Sequence, residues 1–159
     1  KFGLSDERLM KLARIAARDN ARTCMQWDDS ENAGFTTGKP WFVVNKNYKK
    51  INVSDSLNDE NSILNFYKKL IAFRKENPVV IYGDFKLHYK NSKKLFVYER
   101  NYQGKKLFVA INVSETDTKI KVPKKVDISG GELALSNYPV ADKNAFDSLR
   151  PYEARVYLI

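Results

Sequence analysis

The 159-residue chain is 30% charged and 43% hydrophobic, the balance of a soluble globular protein with one core, or one core and an appended segment. No apolar run approaches the ~18–20 residues that a membrane span requires, and the single cysteine, Cys24, excludes an internal disulfide framework and a thiolate metal cluster and favours a reducing compartment. The net charge of +9 raises nucleic acid as a partner. The lysines, however, fall in scattered pairs such as Lys49-Lys50, Lys93-Lys94 and Lys124-Lys125, not in the clustered stripe of a nucleic-acid groove.

In chain order, residues 4–17 read as an amphipathic helix. Ser5 caps it, Asp6 and Glu7 sit at the positive end of its dipole, and Leu4 with Leu9 have the spacing of a hydrophobic staple. Leu9, Leu12, Ala13 and Ala16 form the stripe expected to be buried.

The periodic pattern stops at Arg18. Residues 18–41 show neither helical nor strand spacing, and a segment of this length is usually a functional loop or a linker. Trp27, Phe35 and Trp41 argue against a solvated linker. Ser56-Leu-Asn-Asp59 supplies N-caps for a second helix over about 60–76, where Ile63, Phe66, Tyr67, Leu70, Ile71 and Arg74 share a face. Asn77-Pro78 ends it.

From Val79 the period becomes two. Phe85, Leu87 and Tyr89 alternate with Lys86, His88 and Lys90, the pattern of a strand with one face buried. Leu95–Tyr98 and Leu107–Ile111 are apolar on both faces, as central strands are, with a hairpin turn at Tyr102–Lys105. Thr118–Val122, Glu132–Leu135 and Glu153–Ile159 supply further strands. The fold class is therefore mainly β with an N-terminal helical segment: an antiparallel β-sandwich of roughly six to eight strands preceded by two helices and a long loop.

Little in these residues carries chemistry alone. His88 lacks partners for a metal site, so no metal or cofactor is expected. Asp28-Asp29 suggests the paired carboxylates of glycoside hydrolysis, but neighbours in an extended chain point to opposite sides, and turn formation is the better reading. Trp27, Phe35 and Trp41 can stack on sugars or bases, with core packing as the default. Asn52-Val-Ser54 and Asn112-Val-Ser114 match the glycosylation pattern, which recurs by chance.

Arg18-Asp-Asn-Ala-Arg-Thr-Cys-Met-Gln-Trp-Asp-Asp29, with Asn32-Ala-Gly-Phe-Thr-Thr-Gly-Lys-Pro-Trp41, closely resembles the oligo-1,6-glucosidase group of the alpha-amylase superfamily, glycoside hydrolase family 13. The resemblance continues through Asn45-Lys-Asn-Tyr48, Tyr67–Pro78 and Leu149–Arg155, and so covers essentially the whole chain. It implies a cytoplasmic enzyme with a catalytic (β/α)8 barrel followed by a small β-sandwich. Residues 1–78 would be the end of that barrel, and 79–159 the C-terminal sandwich domain. The barrel's active site lies on the loops after its strands. The family's catalytic carboxylates lie on strands outside this chain, so the resemblance implies that this polypeptide alone is inactive. Arg18 matches the arginine that hydrogen-bonds the non-reducing-end glucose, and Asp19 and Arg22 match supports of the loop. The implied partners are an oligosaccharide substrate and the parent's own barrel, with neither nucleic acid nor membrane. Cys24 replaces the proline of most relatives, which is expected to loosen the loop. A carbohydrate-binding sandwich module and a basic nucleic-acid-binding domain remain as alternatives. The sequence leaves open the choice among oligo-1,6-glucosidase, alpha-glucosidase, trehalose-6-phosphate hydrolase and sucrose isomerase.

Overall fold

The computed structural model describes residues 3, 5–16, 22–140, 142 and 146–159. The chain divides into two compact units, Lys1–Asn65 and Phe66–Ile159.

In the first unit, helix α1 spans Asp6–Ala16. The Ser5 hydroxyl accepts the Arg8 N–H at 3.4 Å and the Ser5 carbonyl accepts Leu9 N–H at 3.0 Å, so the cap forms as its residues dictate. The staple residue Leu4 lies outside the described residues. The expected buried stripe is not buried: Leu9, Leu12, Ala13 and Ala16 are all exposed. Amphipathicity is a property of the helix itself, whereas burial also needs a facing surface, and none of the described residues of this unit supplies one.

Helix α2, Val53–Asn58, escapes a sequence reading because six residues are too few to display a period. Asn52 builds it. Its Oδ1 accepts the Asp55 N–H at 2.8 Å, and its Nδ2 donates to the Asp55 carboxylate at 2.9 Å and to the Tyr48 carbonyl at 3.0 Å. Helix α3 runs Ile63–Glu76, across the division between the units. Its cap is Ser62, whose hydroxyl accepts Asn65 N–H, while Asp59 instead closes a turn onto Asn61. The stripe expected on α3 is only partly covered. Phe66 and Phe73 are half-buried, but Ile63, Tyr67, Leu70 and Ile71 are exposed.

The second unit opens with a short helix, α4, over Val79–Tyr82, where strand spacing was expected to begin. Arg100 explains it. Its guanidinium donates to the carbonyls of Val80 (2.8 Å), Ile81 (3.3 Å) and Gly83 (3.0 and 2.6 Å), satisfying the end of the helix from a neighbouring strand.

Strands β1 (Asp84–His88), β2 (Leu95–Tyr102), β3 (Lys105–Asn112), β5 (Glu132–Ser136) and β7 (Ala154–Leu158) form one antiparallel sheet in the order β1-β2-β3-β7-β5. Strands β4 (Thr118–Lys119) and β6 (Ser148–Leu149) pair separately. The β4 ladder is shorter than the expected strand to Val122. Gln103 and Gly104 both have positive φ (48° and 80°), the tight hairpin that joins β2 to β3.

Strand β3 is central and buried on both faces. Leu107 and Val109 pack with Val79 and Phe73 on the helical side. Phe108 and Ala110 join Val97 and Tyr157 in a core that Ile120, Val126, Ile128, Phe146 and Leu149 cover from the smaller layer. The antiparallel sandwich expected from the sequence is thus present, with helix on its outer face.

The edge strand β1 is partly covered on both faces. Phe85 and Tyr89 are exposed and Leu87, opposite Tyr98, is half-buried; on the other face Lys86 is exposed and His88 half-buried, opposite buried Glu99 and Val97. Period-two spacing separates the two faces of an edge strand without saying how far each is covered. Lys86 and His88 both reach Glu99: Lys86 Nζ lies 2.6 Å from its Oε1, and His88 Nε2 3.6 Å from its Oε2. Burial alone would raise the Glu99 carboxyl pKa, but the Lys86 ammonium outweighs it, and the carboxyl is held below its ordinary value.

Candidate functional site

The loop singled out in the sequence is described from Arg22 onward; Arg18 and Asp19 lie outside the described residues. Its backbone is held by its own contacts. The Ala33 carbonyl accepts both Trp27 N–H (2.9 Å) and Asp28 N–H (3.3 Å), Val53 N–H donates to the Gln26 carbonyl and Ser54 N–H to the Trp27 carbonyl, both at 2.9 Å. The Gln26 amide donates to the Ile51 carbonyl, and Lys49 Nζ to the Asp29 carbonyl at 2.8 Å. The loop has a tie at Cys24 as well. Cys24 is buried, with its thiol 3.7 Å from the Phe42 carbonyl.

At the tip, Asn32, Ala33 and Gly34 are left-handed in succession, with φ of 54°, 59° and 64°. Such a turn costs free energy at each residue with a Cβ, and Ala33 is completely buried within it. Gly34 admits no side chain: a Cβ there would lie 2.6 Å from the Asp28 carboxylate. That carboxylate accepts from the hydroxyl and the N–H of Ser30, and these two bonds hold its pKa below the usual range. Asp28 is therefore committed to the turn, as its residue type suggested, and is not poised as an acid or base.

Arg22 is exposed and lines an open cleft of about 520 Å3 with Phe42, Asn45 and Lys46. The aromatic residues depart from the core expectation. Trp41 is 82% exposed, with the Phe42 ring against it at 4.0 Å, and Trp27 and Phe35 are exposed as well. The described part of this unit contains no surface to cover them. Both asparagines of the glycosylation patterns prove to be buried and hydrogen-bonded. Asn52 holds α2, and the Asn112 amide donates to the carbonyls of Thr116, Leu149 and Arg150 while its carbonyl accepts from Ser114. The cleft is thus lined by 22–23 and 42–46, with Phe42 as its aromatic residue, while Trp27 and Trp41 stand exposed outside it.

The alpha-amylase catalytic-domain model matches residues 2–83, just over half the chain. This chain belongs to the alpha-amylase family. It is 44% identical over 158 residues to an oligo-1,6-glucosidase of Halalkalibacterium halodurans, covering 98% of this chain and 28% of that protein. Among solved structures, a trehalose-6-phosphate hydrolase of Bacillus licheniformis superposes with a TM-score of 0.84 at 36% identity, over 98% of this chain and 29% of that one. An isomaltulose synthase of a Klebsiella species superposes with a TM-score of 0.83 at 33% identity, over 98% of this chain and 28% of that one. The chain spans little more than a quarter of the length of the relatives it matches. The alpha-amylase match ends between α4 and β1, so the strands of the sheet lie beyond the catalytic-domain model.

The site candidates of the sequence are thus divided. Arg22 is placed on the cleft wall, and Asp28 is withdrawn into a turn. The braces Asn52 and Lys49 carried no sequence signal beyond the capping spacing Asn52–Asp55, because, the Asp55 carboxylate aside, their partners are backbone carbonyls and an N–H, which no residue type encodes.

Proposed function

We propose that this chain is the C-terminal part of a cytoplasmic retaining alpha-glucosidase that acts on short α-linked gluco-oligosaccharides, isomalto-oligosaccharides first among them. The observation that carries this reading is the 44% identity to an oligo-1,6-glucosidase, which runs through 98% of the chain. In this reading residues 1–78 end a catalytic barrel and 79–159 form the domain after it. The exposed apolar faces of α1 and α3 suit that reading, since each would find its covering surface in the barrel.

Arg18 is assigned to the substrate. A guanidinium presents five fixed donors, so it can bind adjacent sugar hydroxyls and a neighbouring carboxylate together. Asp19 and Arg22 support the loop, whose hydrogen-bonded frame keeps the cleft wall in place. The nucleophile and acid/base carboxylates of a retaining mechanism stand about 5–5.5 Å apart, and they are assigned to the part of the parent outside this chain.

In the complete enzyme, Arg18→Ala raises KM and lowers kcat for isomaltose; unchanged kinetics remove Arg18 from the site. The 159-residue chain alone leaves isomaltose intact, and turnover that survives stringent purification overturns the assignment of the catalytic carboxylates elsewhere. A second reading, a trehalose-6-phosphate hydrolase, is favoured by the structural likeness to the Bacillus licheniformis enzyme. Comparing the complete enzyme's kcat/KM on isomaltose and on trehalose 6-phosphate decides between them.

A further inference from the structure

The turn between β6 and β7 holds a tyrosine where the backbone favours glycine. Glu153 N–H donates to the Arg150 carbonyl at 3.1 Å, closing a β-turn with Pro151 and Tyr152 at its centre. Tyr152 has φ of 56°, a value at that turn position which suits glycine or asparagine. The ring does not recover this cost by burial, because Tyr152 is 56% exposed.

The support behind the turn is rigid. Glu153 is fully buried and accepts from the Arg150 N–H and guanidinium and from Arg155. Tyr152 N–H donates to the Ser114 carbonyl, and its carbonyl accepts from the Asn137 amide. In front, Tyr138 donates its hydroxyl to the Pro151 carbonyl, with the Arg150 guanidinium 4.2 Å over its ring. The Tyr152 hydroxyl points to Glu115 Oε1 at 3.5 Å. Strained backbone held by a buried network is the arrangement in which a side chain is displayed for a ligand.

We propose that Tyr152, Tyr138 and Glu115 form a binding site for a neutral α-linked gluco-oligosaccharide. The choice of glucan rests on the function proposed above. The rings offer apolar surface to the C–H faces of pyranoses, and the Glu115 carboxylate is an acceptor for adjacent hydroxyls. The Arg150 guanidinium over Tyr138 is already engaged by the buried Glu153 carboxylate and the Pro139 carbonyl, and Glu115 adds a negative charge, so a neutral sugar fits better than a phosphorylated one.

The test is a titration of the nitrogen-labelled 159-residue chain followed by NMR. Isomaltotriose gives saturable shifts at the amides of Val113, Glu115, Tyr138 and Tyr152, and glucose 6-phosphate does not. Tyr152→Gly weakens isomaltotriose binding by about tenfold or more while Tm holds or rises, since glycine suits the turn. Glu115→Gln, which leaves the turn untouched, also weakens binding. Isomaltotriose shifts that are absent, or equal affinity in both variants, overturn the site, and equal binding of glucose 6-phosphate overturns its preference for neutral sugar. Because no turnover is read, failure here with intact hydrolysis of isomaltose by the complete enzyme leaves the proposed function standing.

Discussion

Glu153 is the residue on which the end of the second unit most depends. Its burial pushes the carboxyl pKa up, but hydrogen bonds from the side chain and backbone of Arg150 and from Arg155 outweigh that and bring it down to about 2. A carboxyl pKa lowered by folding stabilises the native state above the unfolded value, near 4.5, and that contribution is lost as pH falls towards 2. Stability measured by urea at pH 7 and at pH 3 should therefore drop, and Glu153→Gln should flatten that dependence. At pH 7 the same variant is expected to cost about 3–5 kcal/mol, because it removes the charge against which two guanidinium groups are set. At the loop tip, Gly34→Ala should cost about 2 kcal/mol through its left-handed φ and the close Asp28 carboxylate. The local reading is hydrogen exchange: the Trp27 and Asp28 amides, both bonded to Ala33, should lose protection.

The helices and strands separate what a sequence encodes from what it leaves to context. Ser5 capping, the Tyr102–Lys105 hairpin and the doubly buried β3 were legible because each depends on residues next to one another in the chain. Helix α4 was not, since its C-terminal carbonyls are satisfied by Arg100 from another element. The cover over His88 in β1 was likewise hidden, because buried Glu99 lies on the neighbouring strand. In the site, Asp28 was legible as a turn former, whereas the exposure of Trp41 depends on surfaces that local residue type does not specify. The α1 stripe gives the sharpest instance: its pattern is that of a packed helix, yet Leu12 is 49% exposed. Leu12→Glu in this chain should therefore shift thermal stability by no more than about 0.5 kcal/mol. In a complete enzyme whose barrel covers α1, the same change should cost several times more, and equal effects in the two proteins would argue against such a covering.

At the scale of the whole chain, the two units differ in what holds them. The second unit contains both apolar cores, one on each face of the five-stranded sheet, and β3 contributes to each. The first unit is fixed chiefly by hydrogen bonds around its loop, and of its apolar side chains only Cys24 and Ala33 are buried among the described residues. Buried apolar area supplies most of the favourable free energy of folding, while an individual hydrogen bond contributes about 1 kcal/mol net. Opening of the first unit should therefore require less free energy than opening of the sheet. Native-state hydrogen exchange in increasing urea measures both. The amides of Val97, Phe108 and Tyr157 should exchange only with global unfolding, those of Trp27 and Val53 at a lower free energy, and those of α1 with little protection. A common opening free energy for β3 and the 22–58 loop would mean that one cooperative core holds both units, contrary to this division of their packing.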